Sequence, residues 1–322
     1  MKKLHRFASF VAVSTLILLA AGGMVTSTRS GLAVPDWPNT YGHFMFSFPF
    51  EKMVGGILYE HGHRVIASVV GMLTVVLAIW TWRVDKRRWV RWLAVGALGA
   101  VILQGLLGGL TVLLRLPAPI SVGHAGLAQL FFCITVSLAL FTSQGWRSPS
   151  SPGRTDATLQ LIAPLTSVLI YAQMLLGATI RHREAGLAIP DFPWAYGHLV
   201  PPFWSTDIAI HYAHRLGALL VSASVVAVVT HVLWWHRAQS SLRRPALSMV
   251  VLVLVQVTLG AFVVITGLQP IVNTAHLVNG ALLLATSVVL SLRSYWNAIE
   301  QAADRRTVQG PLTHVPPIEA HS

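Results

Sequence analysis

Apolar residues run along this chain in eight blocks, at about 7–28, 57–82, 92–114, 120–143, 158–180, 208–235, 246–267 and 271–295, with polar and charged residues gathered between them. A helix needs roughly 20 apolar residues to cross the hydrocarbon of a bilayer, whereas a tilted barrel strand needs only about 10. Blocks of this length predict helices, which satisfy their own backbone hydrogen bonds in lipid. The expected fold class is an all-α integral membrane protein, with eight transmembrane helices forming two tandemly repeated four-helix bundles.

The division into two comes from a repeat. The phrase Gly31-Leu-Ala-Val-Pro-Asp-Trp-Pro-Asn-Thr-Tyr-Gly-His43 returns as Gly186-Leu-Ala-Ile-Pro-Asp-Phe-Pro-Trp-Ala-Tyr-Gly-His198, with nine of thirteen positions identical. Further on, Glu60-His61-Gly62-His63-Arg64 aligns with His211-Tyr212-Ala213-His214-Arg215, and His124 aligns with His276. A unit of four helices is therefore present twice. The polar stretch rich in Ser, Pro and Gly around 148–153 reads as a linker. The predicted organisation is a first bundle over 1–145, a linker over 146–157, a second bundle over 158–296 and a tail over 297–322.

Composition supports the membrane assignment, since the chain is 54% hydrophobic and only 11% charged, with a mean hydropathy of +0.63. The net charge of +12 raises nucleic acid as a partner, but its distribution argues for a bilayer instead. Lys2, Lys3, Arg6, Arg83, Lys86, Arg87, Arg88, Arg91, Arg147, Arg154, Arg237, Arg243, Arg244, Arg293, Arg305 and Arg306 fall on one side of an eight-helix topology, against Arg29, Lys52, Arg115, Arg181 and Arg183 on the other. This bias predicts cytoplasmic termini and outward Pro-Asp loops. The first apolar block after Met1-Lys2-Lys3 also has the form of a signal peptide; its counterpart ahead of the second Pro-Asp loop favours a helix of the fold. No Arg- and Ser-rich leader precedes it, so a bacterial or archaeal cytoplasmic membrane is expected. The single Cys133 excludes an internal disulfide and reads as a small core residue.

The chemistry lies in four histidines. His63, His124, His214 and His276 each fall near the outer start of an even-numbered helix, at similar depth. Ionisable residues at membrane depth mark function, and two pairs at matched repeat positions favour ligation over structural hydrogen bonding. Neutral imidazole suits haem iron, zinc or copper. Structural zinc wants four ligands at one point, whereas two histidines on facing helices match the two axial positions of a haem. Arg64 and Arg215 follow two of the candidates and fit either propionate pairing or snorkelling to the interface. Glu60 shares a broad helix face with His63 and Arg64, and His211 stands in its place in the second half. It reads either as a salt-bridge partner of Arg64 or as the acid that separates a reaction site from a carrier site. His61 is one residue off that face and reads as a neighbour. His43, His198, Asp36 and Asp191 lie in the repeated loops, which read as structural or as caps of the site. Gln104 and Gly108 recur as Gln256 and Gly260, a pattern suited to close helix packing.

These motifs, in this order and on eight helices in two halves, resemble the haem A synthase family over roughly residues 7–295. The resemblance implies oxidation of the C8 methyl of haem O to a formyl group, giving haem A for terminal oxidases. It further implies that His63 and His124 bracket the substrate haem, that Glu60 is the important acid, and that His214 and His276 ligate a cofactor haem b. The implied partners are haem O, a haem O synthase and terminal oxidase assembly factors; the oligomeric state, with a homo-oligomer among the options, is left open. Some members carry a cysteine pair in the first outer loop, whereas 36–43 has none, which puts thiol-based electron delivery there in doubt. The alternatives are a bis-histidine, two-haem electron carrier and a duplicated transporter. Against the transporter, the halves share one orientation and no broken helix pair marks a midplane site.

Overall fold

Caps and turns set the helix limits within the apolar blocks. The computed structural model describes residues 1–147 and 156–296. Among them are eight long helices: α1 (Lys2–Ser27), α2 (Gly56–Val84), α3 (Arg88–Leu113), α4 (Ala118–Thr142), α5 (Ala157–His182), α6 (Thr206–Trp235), α7 (Ser240–Ile265) and α8 (Pro270–Ser294). All eight are long and apolar enough to span a membrane, and the protein is a multi-pass membrane protein. At the starts of α5, α6 and α8, the side chains of Asp156, Ser205 and Gln269 accept the backbone N–H of Leu159, Ile208 and Val272 at 3.0, 3.2 and 2.8 Å, which satisfies a donor the helix itself leaves free. Helices α1, α3, α5 and α7 are followed by a residue with positive φ, namely Arg29, Arg115, Glu184 and Gly267, the usual backbone stop for a helix. These four stops occupy matched places in the repeat.

The helices overrun their apolar blocks at one end. Helices α1, α3 and α7 begin at Lys2, Arg88 and Ser240, ahead of the predicted 7, 92 and 246, and take Lys3, Arg6, Arg91, Arg243 and Arg244 into their first turns. Long cationic side chains let a helix begin in the polar zone, because the stem lies along the apolar surface while the charge stays in water. Hydropathy alone cannot register those turns.

Each half closes into a ring of four helices, α1 with α2, α2 with α3, α3 with α4 and α4 back on α1, and likewise α5 to α8. The rings are not separate bodies. Helix α1 packs on α8, while α4 packs on both α5 and α8, and a cluster of Leu19, Phe132, Ala281 and Ala285 fills the junction. Consequently α1, α4 and α8 are the most buried helices and α3 and α7 the least. The outer faces carry exposed Leu219, Leu220, Val251 and Leu254, the surface that lipid covers. Leu4, Ala8 and Val11 are fully buried, so α1 contributes to the core, and Cys133 is buried in α4 as its apolar context predicts. Most of the predicted linker, the tail 297–322, and Arg154, Arg305, Arg306, His314 and His321 lie outside the described residues.

Candidate functional site

The four predicted histidines stand on α2, α4, α6 and α8, all in the second or third turn from the end that carries the Pro-Asp loops. Each imidazole rests on a glycine of the preceding helix. A Cβ built on Gly22, Gly108, Gly177 or Gly260 would lie 3.0, 3.2, 3.1 or 3.2 Å from Cε1 of His63, His124, His214 or His276, respectively. Gly108 and Gly260, expected to serve helix packing, therefore also make room for the rings. His63 lies within electrostatic range of His124, and His214 within range of His276, so the structure brings together the two predicted pairs. The Nδ1 atoms of His63, His124 and His276 are buried without a hydrogen-bond partner.

Glutamines mark three of the four rings. Gln173 Nε2 lies 3.0 Å from His214 Nδ1 and donates to the His214 carbonyl at 2.6 Å. Gln104 Nε2 donates to the His124 carbonyl at 3.0 Å and lies 3.4 Å from its Nε2. Gln256 Nε2 lies 3.2 Å from His276 Nε2, and its Oε1 accepts Asn279 Nδ2 at 2.7 Å. Each glutamine stands four residues before the glycine that its histidine touches. At the fourth place, before Gly22, the chain has Leu18, whose side chain has no amide to offer His63. Gln173 escaped the sequence reading; the spacing Gln-x-x-x-Gly, present in α3, α5 and α7, was the signal for it.

The loops and the charged residues form one device, built twice. Asp36 accepts the N–H groups of Tyr41 and Gly42 at 2.8 and 2.9 Å, and Asp191 accepts those of Tyr196 and Gly197 at 2.7 and 2.8 Å. Burial works to raise both carboxyls, but these N–H groups, with the nearby Arg64 or Arg215, outweigh it and hold them below the usual carboxylate range. Arg64 donates to the carbonyls of Val34, Asp36 and Asn39 at 2.9, 2.7 and 3.1 Å. Arg215 donates to the repeat equivalents Ile189, Asp191 and Trp194 at 3.1, 2.8 and 2.8 Å. Both arginines thus tie a loop to the helix that bears a candidate ligand.

Glu60 joins this device. Its Oε1 is 2.5 Å from Arg64 Nη2 and its Oε2 accepts Val34 N at 2.8 Å, with the residue only 3% exposed. His211 does the same work opposite, since its Nδ1 accepts Ile189 N at 3.3 Å and its Nε2 lies 3.4 Å from Arg215 Nε. The salt bridge anticipated from the i, i+4 spacing is therefore present. His61, predicted to be a neighbour, bonds Thr40 Oγ1 at 2.9 Å. The first loop also covers its site, for Trp37 lies against Gly109, where a Cβ would come within 2.6 Å of the ring; Phe192 and Ala261 hold these places in the second half.

Matched histidine pairs thus lie beneath clamped loops on eight spanning helices, and the chain as a whole is similar to known proteins. Residues 5–288 match the COX15-CtaA family, described as cytochrome oxidase assembly protein. The chain belongs to this family. Its relatives include a heme A synthase of Symbiobacterium thermophilum, 33% identical over 78% of this chain and 83% of the relative. A heme A synthase of Shouchella clausii is 30% identical over 82% and 88%, and one of Halalkalibacterium halodurans is 28% identical over 88% and 95%. For a member of this family the donor set fits a porphyrin iron. Each half supplies two imidazoles, three of the four rings keep a buried nitrogen without a partner, and glycine lies beside every ring.

Proposed function

We propose that this chain is a haem A synthase, an oxidoreductase that converts the C8 methyl of haem O to a formyl group in a bacterial cytoplasmic membrane. Overall, R–CH3 + H2O gives R–CHO + 4 H+ + 4 e−, with the electrons passing to an external acceptor, by way of two hydroxylations of the same carbon and loss of water. The observation that carries the reading is a pair of sites alike in ligands and loops but unlike in three neighbours. The first has Glu60, Leu18 and Trp37 where the second has His211, Gln173 and Phe192. Relatives named heme A synthase, aligned over most of the chain, support it.

In this reading residues 1–145 hold the substrate and residues 158–296 hold the cofactor. His63 and His124 would bind haem O, with Trp37 of the first loop packed on Gly109, next to the Gly108 that touches His124. His214 and His276 hold a haem b, which supplies one-electron chemistry when bound. Gln173 and Gln256 orient the second pair, and an oriented imidazole is a better-defined ligand. Glu60, buried and bonded to Arg64, holds or releases a proton at its carboxylate as the methyl carbon loses hydrogen. Arg64 and Arg215 fix the loops and stand beside any propionate that enters there. Both termini face the cytoplasm, and a haem O synthase and terminal oxidase assembly factors are the expected partners.

A two-haem electron carrier is the second reading, favoured by the one structural slot that Glu60 and His211 share. Co-expression with a haem O synthase, followed by haem extraction and mass analysis, separates the two. Haem A or its hydroxylated precursor is the expected product, and porphyrin-loaded protein that yields neither overturns the proposal. Glu60→Gln is expected to bind haem O but lower haem A at least tenfold, about 1.4 kcal/mol of barrier. Glu60→His, which places the second half's own residue in the slot, keeps the clamp and should fail equally. Normal conversion by Glu60→His would make Glu60 a structural residue.

A further inference from the structure

At the end of the bundle away from the paired histidines, three side chains converge on one point. Asp156, the cap of α5, points its Oδ2 at Nε2 of His231 and at Nε2 of His236, each at 2.7 Å. His231 lies in the last turns of α6, and His236 is the residue that ends it. A spacing of five residues would put the two imidazoles well apart on an unbroken helix. They meet because the chain leaves the helix at His236, whose N–H still bonds the Val232 carbonyl at 2.8 Å. Among the described residues this is the one place where three His, Cys, Asp or Glu ligand atoms lie within 4.8 Å of one another.

The carboxylate is divided in a way that suits a metal. Oδ1 accepts Leu159 N at 3.0 Å, which fixes the plane of the group and leaves Oδ2 as a single-atom ligand. Such outer hydrogen bonds orient metal ligands and are part of a working site. His236 is only 6% exposed, and the nitrogen it turns to the carboxylate is Nε2, while its Nδ1 is buried on the other side of the ring. Asp156 and His231 keep partial exposure, which gives an ion an entry path and a place for water.

We propose that Asp156, His231 and His236 form a divalent metal site of the zinc class, with water as the fourth ligand. Two imidazoles, one carboxylate and a water make a tetrahedral set that zinc accepts. Ligand bonds of about 2.0–2.1 Å put neighbouring ligand atoms about 3.3 Å apart, so seating the ion asks each imidazole to draw back from Oδ2 by about half an ångström. Side-chain rotation supplies that. The ion ties the start of α5 to the end of α6, far from the paired histidines, and serves as a staple for the second half. The site stands independently of the haem A synthase reading.

The test uses the full-length, haem-loaded protein in detergent, stripped with a chelator, exposed to Zn2+ and desalted. The wild type is expected to retain one zinc per chain by elemental analysis. X-ray absorption at the zinc edge should show two imidazoles, and the thermal midpoint should rise with zinc. Asp156→Asn preserves the helix cap, since asparagine caps as well as aspartate, and should weaken zinc binding at least tenfold; the double change His231→Gln with His236→Gln should abolish it. The proposal is overturned if the wild type retains no zinc, if its zinc lacks two imidazole ligands, or if both variants bind as tightly as the wild type. The wild-type absorption spectrum decides even if a variant fails to fold.

Discussion

At the scale of single residues, the informative comparisons lie between equivalent positions of the two halves. Glu60 and His211 both accept a loop N–H and lie beside a guanidinium. Their difference is therefore one of charge and proton chemistry within a shared architecture. Leu18 against Gln173 is the sharper contrast. Three imidazoles have a glutamine amide at hand, and His63 has none. On the proposed assignment the first half holds one of its two imidazoles, His63, more loosely than the other three, as suits a substrate that must leave. Leu18→Gln should give His63 the amide that its counterpart has. Haem is then expected to leave the first half about fivefold more slowly, the equivalent of one net hydrogen bond of about 1 kcal/mol, with product release slowed to match. Stopped-flow transfer of haem to apomyoglobin reads this directly, and an unchanged rate would mean that the glutamines do not hold the rings.

At the scale of elements, the Pro-Asp loops are ordered by their own backbone. Tyr41 and Tyr196 take positive φ, as do Gly42 and Gly197, which turns consecutive N–H groups toward one carboxylate. The tyrosine hydroxyls then tie back, Tyr41 to the Ala33 carbonyl at 2.6 Å and Tyr196 to that of Ala188. Because the folded pKa values of Asp36 and Asp191 are lowered, their contribution to stability is fully present above the unfolded value of about 3.9 and is lost as pH falls through the lowered folded values. Thermal midpoints should thus be flat from neutral pH down to about 4 as far as these loops are concerned, and fall below it. Asp36→Asn and Asp191→Asn should each cost about 1 kcal/mol at neutral pH and flatten the acid fall. A variant with an unchanged midpoint would show that the turn holds without the charge.

At the scale of the whole molecule, the halves are fused through α1, α4, α5 and α8, so a bound group in one half rests on helices that also build the other. A cofactor that binds only the folded protein stabilises it by mass action. On the proposed assignment, His214→Ala and His276→Ala are expected to strip a haem b from the second half and lower the thermal midpoint. His63→Ala and His124→Ala should leave haem b in place while haem A formation stops. Haem b stoichiometry and product analysis on all four variants check this. Equal loss of haem b from both pairs would exchange or cancel the assignment of substrate and cofactor halves.

Eight helices and their limits to within a turn or two were legible in the chain itself, as were the repeated phrase and four histidines as candidate ligands. Hydropathy, cap chemistry and repeat spacing act over short sequence distances, and each leaves a local mark. Even the salt bridge of Glu60 with Arg64 lies within one helix. The tertiary structure alone decided what joins distant segments. It set the carbonyls of 34–39 on Arg64, a glycine of one helix against the imidazole of the next, and Gln173 beside His214, 41 residues away. It likewise joined Asp156 to His231 and His236 across α5 and α6, and merged two predicted bundles into one body. Such contacts depend on how helices rotate and approach, and rotation is settled by the packing of all eight together, which no single segment encodes.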